Sequence, residues 1–351
     1  MLVDQLGSVR KVRTMRRTIL LALFAVGSFA GGASVAAAQT SPAQTSAAQT
    51  WPERPVTMVV PFAAGGGTDL LGRIIAKRLG EVLGQQVIVE NIGGAGGMIG
   101  SARVVKSPPD GYMMVVGTTA DAINQSLYKA PLYNLATDLV PAGLMGNQPT
   151  VLLARKDFPA NTLQEFAAYL KANLKSVQYG SAGAGSTGHL FCELLNAALG
   201  IGRVSHVPYR GGGPAMQDLI AGRYDYICTL APSGKPLLDG NLVKGIAILQ
   251  PQRSPEIPNL PSTAEQGLPD FDVSTWFGLF FPKDTPAPIV RKLNAALAKT
   301  LDTPWVHERF KEIVANVAAP EERSPEFLKK LVESETAKMA AAIRGAGLQQ
   351  L

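Results

Sequence analysis

The sequence is poor in the side chains that carry most enzyme chemistry. Its 351 residues include only two cysteines and three histidines. The cysteines, Cys192 and Cys228, form no CxxC pair and lack zinc-type spacing, and no His, Asp and Glu residues cluster at metal-ligand spacing. The sequence therefore gives no support for a zinc site or for metal catalysis, and we expect no metal and no other cofactor.

Long hydrophobic runs are also scarce. The apolar run from Ile19 to Ala30 is shorter than the roughly 20 apolar residues that a membrane-spanning helix needs. Basic residues precede this run and Ala36 to Ala38 follow it, which is typical of a secretory signal peptide. We therefore predict that residues 1–38 form a signal peptide, that residues 39–51 form a flexible leader, and that the mature protein is periplasmic. The sequence is compatible with a start at Met1 or at Met15.

The positive charge lies mostly in the predicted signal peptide. Without residues 1–38, Lys plus Arg falls from 33 to 28 and Asp plus Glu from 27 to 26, so the net charge falls from +6 to about +2. A nucleic-acid partner is therefore not expected. For the two cysteines we favour buried free thiols, one on a helix and one on a strand, over the disulfide that an oxidising periplasm would also permit.

The remaining roughly 300 residues are enough for two lobes. Short β-rich runs alternate with helical patterns, which predicts an α/β fold with mostly parallel sheets flanked by helices. The series restarts at a strand from Val151 to Ala154, and the proline-rich stretch from Pro251 to Pro261 interrupts it. We therefore assign residues 52–149 and 252–351 to lobe 1 and residues 150–251 to lobe 2, with a ligand in the cleft between them.

The stretch from Pro61 to Asp69, PFAAGGGTD, joins the strand-like run from Val56 to Val60 to an amphipathic helical pattern. A helix N-terminus leaves backbone N–H groups without partners at the positive end of the helix dipole, which makes an anion site. We expect Asp69 to be the N-cap, and the bare backbone from Gly65 to Gly67 lets a ligand approach closely. A second loop of this design, YGSAGAGSTG, occupies residues 179–188. The two loops predict that each lobe offers backbone donors to one acidic ligand.

Two other interpretations of the loop at residues 179–188 have less support in the sequence. Gly183, Gly185 and Gly188 have the GxGxxG spacing of a dinucleotide site, but no acidic residue stands about 20 positions later to hold a ribose. Ser186 lies close to a GxSxG pattern, which makes an exported serine hydrolase the alternative function. His189 follows Ser186 on the same helical turn and is badly placed as its base, although His206 is a second candidate. We expect a protein that is not an enzyme.

A further glycine cluster, ENIGGAGGMIG at residues 90–100, also joins a strand to a helix. Glycines at this place indicate either close approach to a ligand or a tight turn with close helix packing, and the sequence favours neither.

Together these stretches resemble the periplasmic solute-binding receptors of tripartite tricarboxylate transporters, the Bug receptors. The matching segments are PFAAGGGTD at 61–69, ENIGGAGGMIG at 90–100, YGSAGAGSTGHL at 179–190, HVPYRGGGPAMQDLIAG at 206–222 and STWFGLFFPKDTPAP at 274–288. The chain departs from the family at Ile92-Gly93, where Arg-Pro is usual, and at Cys228-Thr229-Leu230, where Asp-Asn-Leu is common.

The resemblance implies a two-lobed periplasmic-binding-protein fold of type II that closes on a small carboxylic acid and delivers it to the permease subunits of a membrane transporter. We expect a monomer. The loops and their polar neighbours supply the expected ligand-binding residues, with the Arg210 side chain as a competing anion partner. The expected residues are Phe62, Ala63, Ala64, Gly65, Gly66, Asp69, Thr118, Thr119, Ser181, Gly185, Ser186, Thr187, Tyr209 and Thr229.

Overall fold

The computed structural model describes residues 50–351, so the predicted signal peptide and nearly all of the predicted leader lie outside the described residues. The strands in this part of the chain are β1 (Val56–Val60), β2 (Val87–Asn91), β3 (Met113–Thr118), β4 (Leu139–Arg155), β5 (Gln178–Ser181), β6 (Ser205–Pro208), β7 (Tyr226–Leu230), β8 (Val243–Ile248), β9 (Ser274–Pro282) and β10 (Asn316–Val317).

Eleven α-helices are found among residues 50–351 and alternate with these strands. They are α1 (Gly67–Leu83), α2 (Met98–Val105), α3 (Thr119–Leu127), α4 (Leu135–Asp138), α5 (Leu163–Asn173), α6 (Thr187–Ala198), α7 (Gly212–Ile220), α8 (Ala231–Asp239), α9 (Ala287–Leu301), α10 (Pro304–Glu312) and α11 (Pro325–Gly345). Within the same residues, no helix is both long and apolar enough to cross a membrane.

The strands form two groups that share β4. The first group has the order β2-β1-β3-β9-β4, and the second has the order β4-β7-β5-β6 with β8 also paired to β4. The pairs β1–β2, β1–β3, β5–β6 and β5–β7 are parallel, as expected for an α/β fold. β4 is antiparallel to β9, β7 and β8, so both groups are mixed rather than mostly parallel.

Strand β4 is much longer than the predicted strand from Val151 to Ala154. Its pairing with β9 shifts register between Pro141 and Gly143 and again between Leu144 and Gly146. The prolines and glycines at these bulges therefore lie inside β4, although such residues in a sequence normally indicate the end of a strand. The partner of β4 changes from β9 to β7 between Pro149 and Thr150, which is where the sequence divides the lobes. The lobe assignment itself stays a prediction.

The buried side chains form separate clusters around the two strand groups. One cluster packs α1, α9 and α10 against β1 and β9, and includes Leu71 and Phe310. Another packs α5 and α6 against β7, and includes Phe166 and Phe191. Each group of strands therefore has its own hydrophobic core, as a fold of two lobes requires.

The expectation of free thiols is wrong. Cys192 on α6 and Cys228 on β7 form a disulfide, with their Cα atoms 5.4 Å apart. Both residues are buried, on the helix and the strand where the sequence placed them. Sequence spacing could not reveal the pairing because it depends on how closely α6 packs against β7: a Cβ added to Gly188 at the start of α6 would lie 2.4 Å from the Cys228 carbonyl oxygen.

Candidate functional site

A small cavity of about 30 Å³ lies where the carboxyl ends of β1, β3, β5 and β7 come together. Ligands of α/β proteins usually bind at the carboxyl ends of strands, so this cavity is the candidate site. Loops and helix starts supply most of its wall. The lining residues are Phe62, Gly66, Gly67, Thr68, Thr118, Ala182, Ser186, Thr187, Gly188, Gly212, Cys228, Thr229, Leu230, Ser233 and Thr275.

Five helices begin at this cavity. Residues at the start of α1, α3, α6, α7 and α8 all line it. The first N–H groups of a helix have no partner within that helix, and the helix dipole adds partial positive charge at the same end. Converging helix starts therefore surround the cavity with positive potential and with backbone donors.

None of the described residues that line the cavity is Asp, Glu, Lys, Arg or His. The Arg210 side chain, the competing anion partner, is exposed and does not line the cavity. The groups available to a ligand are backbone N–H groups and the hydroxyls of serine and threonine. Such a site favours an anion through oriented dipoles, without a formal positive charge.

Asp69 shapes the first loop from within. The N-cap of α1 is Gly66, so the expectation that Asp69 is the N-cap is wrong. The buried Asp69 carboxylate accepts hydrogen bonds from the Gly65 N–H at 2.9 Å, from Arg73 Nε at 3.0 Å and from Asn91 Nδ2 at 2.8 Å. Burial raises the pKa of Asp69, but these hydrogen bonds outweigh it and the pKa lies below its ordinary value. The carboxylate is therefore ionised at neutral pH and holds the loop in shape.

The second loop is stabilised by its own serines. The Ser186 hydroxyl caps α6 by accepting the His189 N–H at 3.3 Å. The buried Ser181 hydroxyl accepts the Gly183 N–H at 3.0 Å and lies 2.7 Å from His206 Nε2. Within residues 50–351, neither histidine ring hydrogen-bonds Ser186, so the nucleophile and base of the hydrolase alternative are not paired.

His189 and His206 pack against each other beneath the second loop, with ring centroids 4.3 Å apart. Burial lowers the pKa of His189 to about 4. Burial and the neighbouring His189 lower the pKa of His206 to about 3. Both rings are therefore neutral at physiological pH and add no positive charge to the site.

The loops from the two strand groups touch across the cavity. The Ala63 N–H donates to the Arg210 carbonyl at 3.0 Å, and the Gly67 N–H donates to Ser233 Oγ at 2.9 Å. The glycine cluster at residues 90–100 also lies at this junction. A Cβ on Gly96 would stand 2.5 Å from the Ala184 carbonyl oxygen. Its glycines therefore permit close contact between backbones rather than lining the cavity.

Six of the fourteen expected residues line the cavity and eight lie behind or beside it. Those that line it are Phe62, Gly66, Thr118, Ser186, Thr187 and Thr229. Those that do not are Ala63, Ala64, Gly65, Asp69, Thr119, Ser181, Gly185 and Tyr209. Tyr209, for example, donates its hydroxyl to Asp218 at 2.8 Å, and Thr119 accepts the Trp276 N–H at 3.1 Å.

Sequence reasoning missed several lining residues. Ser233 belongs to α8, whose Pro232 and Pro236 hide its helical pattern. Thr275 stands in the strand segment STWFG but carried no signal of its own. Gly212 was visible within a glycine run, and only its position at the start of α7 brings it to the cavity.

A family model and a curated relative match most of this chain. Residues 71–348 match the family model described as the tripartite tricarboxylate transporter family receptor. The chain is 39% identical over 298 residues to the UPF0065 protein in the TAR-I ttuE-ttuC' intergenic region of Agrobacterium vitis, an alignment that covers 85% of this chain and 86% of the relative.

Two solved structures are similar over most of this chain. The periplasmic binding protein BugD has a TM-score of 0.82 and 38% identity, with 86% of this chain and 100% of BugD covered. MatC from Rhodopseudomonas palustris with bound malate has a TM-score of 0.81 and 39% identity, with 84% of this chain and 100% of MatC covered.

Proposed function

Because the chain belongs to the tripartite tricarboxylate transporter receptor family, we propose that it is a periplasmic receptor that binds a small carboxylic acid in the cavity described above and presents it to membrane permease subunits. MatC, which is similar in sequence and fold, is described with bound malate. The family and the structural neighbours of this chain are solute-binding receptors and not enzymes, and the same holds for this protein.

The convergence of five helix starts on a cavity without charged side chains carries this proposal. A carboxylate there accepts hydrogen bonds from first-turn N–H groups such as those of Thr68, Thr187 and Gly188. A hydrogen bond to a charged group contributes about 1.5–3 kcal/mol, so three of them contribute about 4.5–9 kcal/mol, whereas a micromolar Kd corresponds to about 8.2 kcal/mol. Several such bonds, from both loops, are therefore needed once the costs of association are included.

We expect the two lobes to close on the ligand because its hydrogen-bond donors come from both strand groups. Thr68 follows β1 in the first strand group, whereas Thr187 and Gly188 follow β5 in the second. A ligand that contacts both loops favours the arrangement in which they are close together. A cavity of about 30 Å³ admits little more than water, so we propose that the lobes separate for ligand entry and close around the ligand. Closure is then the signal available to a permease.

Thermal unfolding of the mature protein with a panel of carboxylic acids tests the proposal. Each acid is matched with its uncharged amide, for example malate with malamide. An acid that binds the folded state stabilises it by about 2.7 kcal/mol at a concentration one hundred times its Kd. We expect at least one acid to raise the melting temperature while its amide does not. The proposal fails if no acid stabilises the protein, or if acids and amides do so equally.

Native mass spectrometry of protein purified from its producing cells adds an unbiased arm. A co-purified mass that disappears after denaturation and dialysis, and that corresponds to a carboxylic acid, identifies the ligand directly. Isothermal titration with that compound then gives the Kd and the stoichiometry, for which we expect one ligand per chain.

A further inference from the structure

A histidine ring holds the backbone of the loop at residues 179–188. The Gly185 N–H donates to His189 Nδ1 at 3.3 Å. Gly185 is buried and has φ +82°, a left-handed conformation that turns the chain into the start of α6. The next three residues, 186–188, line the cavity. His189 therefore holds the position that immediately precedes the proposed donor groups of α6.

This hydrogen bond determines which nitrogen of the imidazole carries the proton. A backbone N–H can only donate, so His189 Nδ1 must be unprotonated and the neutral ring must carry its proton on Nε2. Burial lowers the pKa of His189 to about 4, which keeps the ring neutral at physiological pH. His189 also lines a second cavity, of about 270 Å³, between α6 and residues 346–349, where water can hydrate the Nε2 side of the ring.

The other N–H groups of the turn before α6 are also paired within the loop. The Ser186 N–H donates to the Gly183 carbonyl at 3.0 Å, and the Gly183 N–H donates to the Ser181 hydroxyl at 3.0 Å. With the bond from Gly185 to His189, these contacts fix the turn on both sides of the left-handed residue. The N–H groups of the first turn of α6 are those that a helix start leaves for a ligand.

Aromatic packing beneath the loop holds the His189 ring in place. The ring centroids of His189 and His206 are 4.3 Å apart, and the Tyr179 centroid lies 6.3 Å from that of His189 and 4.7 Å from that of His206. The Tyr179 hydroxyl donates to the carboxylate of Glu193, which is four residues after His189 on α6. A side chain that is packed in this way presents its hydrogen-bonding atom in one orientation.

We propose that His189 is a positioning residue of the receptor, whose neutral Nδ1 acceptor keeps the first-turn donors of α6 in the arrangement that binds the ligand carboxylate. This inference rests on the proposed function, which assigns the carboxylate to those donors. Groups that bind a ligand must be held to within about 0.5 Å of their productive positions. Without an acceptor at this place, the buried Gly185 N–H must find another partner, so the loop shifts or loosens next to the donors.

Two substitutions of similar shape test this role. Asparagine places its Oδ1 near the position of histidine Nδ1, whereas leucine cannot accept a hydrogen bond. The probe is malate, or the acid from the thermal-unfolding panel that replaces it if malate does not bind. In titration calorimetry, we expect His189→Leu to bind the probe at least fivefold more weakly than wild type. His189→Asn should restore binding to within twofold of wild type.

Tyr179→Phe is the matched control, because it changes the same aromatic packing without removing a hydrogen bond to the loop. It deletes the hydroxyl that donates to Glu193 and keeps the ring that packs on the histidines. We expect a lower melting temperature than wild type, with an affinity for the probe within twofold. A general loss of stability would instead weaken binding in this variant as well.

Nuclear magnetic resonance of the wild-type protein tests the acceptor directly. The chain has only three histidines, so the loss of signals in His189→Asn identifies those of His189. Long-range correlations between ring protons and ring nitrogens distinguish the two neutral tautomers. At pH 7.5, we expect Nδ1 to be unprotonated and Nε2 to carry the proton. A proton on Nδ1 would overturn the inference, whatever the affinities of the variants.

The binding results separate this inference from the proposed function. If no carboxylic acid binds the wild-type protein, the proposed function fails and the inference fails with it. If an acid binds and His189→Leu retains wild-type affinity, the receptor function stands and only the inference is overturned. Equal weakening in His189→Leu and His189→Asn also overturns it, because the shape of the ring is then needed and its acceptor is not. Equal weakening in Tyr179→Phe has the same consequence.

Discussion

Replacing Gly96 by alanine tests whether contact between the glycine cluster at residues 90–100 and the loop at residues 179–188 accompanies ligand binding. Gly96 has φ +61°, a conformation that costs a non-glycine residue roughly 1–2 kcal/mol. Its added Cβ would also stand 2.5 Å from the Ala184 carbonyl oxygen and 2.8 Å from the Ser186 backbone nitrogen. These are backbone atoms, so no side-chain rotation relieves the clash.

The size of the effect follows from these distances. A Cβ normally approaches other atoms no closer than about 3.4 Å, so the loops must move apart by about 0.9 Å. Overpacking of this kind costs about 1–3 kcal/mol. If the lobes move apart in the absence of ligand, the clash disfavours only the closed arrangement, and affinity falls by roughly fivefold to 150-fold.

Gly84→Ala provides the control for backbone strain. Gly84 ends α1 with φ +70°, close to that of Gly96, and a Cβ there has no atom within 4 Å. Both variants should lose similar stability without ligand, as measured by urea unfolding. In titration calorimetry, only Gly96→Ala should bind the ligand more weakly. Equal affinities for the two variants would refute the argument that loop contact accompanies binding.

Three further predictions concern the surroundings of the cavity. Loss of the Cys192–Cys228 disulfide, by reduction or by replacing both cysteines with alanine, should lower the free energy of unfolding by roughly 4 kcal/mol, because the disulfide closes a loop with a sequence separation of 36. Urea unfolding with and without dithiothreitol measures this loss. Arg210→Ala should change the Kd by less than about threefold, because the exposed side chain does not line the cavity; a loss of most of the affinity in calorimetry would make Arg210 the main anion partner. The pKa values of His189 and His206 are lowered from 6.5 to about 4 and about 3. As the pH falls below about 6.5, the unfolded state therefore takes up protons before the folded state does. The free energy of unfolding should then be lower at pH 5 by roughly 2 kcal/mol for each histidine. His206→Gln should remove about half of that dependence in unfolding experiments at pH 7.5 and pH 5.

The first anion loop could be predicted from sequence because its signals are local. A β-rich run, three glycines and a helical pattern stand within 30 residues, and the structure has β1 and α1 at those places. The role of Asp69 was harder to assign. Its position near the helix start suggested a cap, but its partners include Asn91, which β2 brings next to the loop. A residue that acts across strands gives no local pattern.

The pairing of Gln148 with Thr275, which lines the cavity, could not be predicted for a stronger reason. Gln148 and Thr275 lie 127 positions apart, and only the pairing of β4 with β9 brings them together. Prolines and glycines hide the N-terminal part of β4, so only its C-terminal part, from Val151 to Ala154, was predicted, and its register with β9 was not visible in the sequence. Glutamine and threonine are also common residues, so their types alone gave no signal in the sequence.

The departure from the family pattern at Cys228-Thr229-Leu230 gains meaning from the structure. All three residues line the cavity, where an Asp-Asn-Leu sequence would place a carboxylate. Such an acid would attract an ammonium group and repel a second carboxylate. Here Cys228 is held by the disulfide and Thr229 offers a neutral hydroxyl, so the wall carries no charge. In the proposed function, recognition of the carboxylate then rests on backbone N–H groups, which side-chain substitutions do not remove.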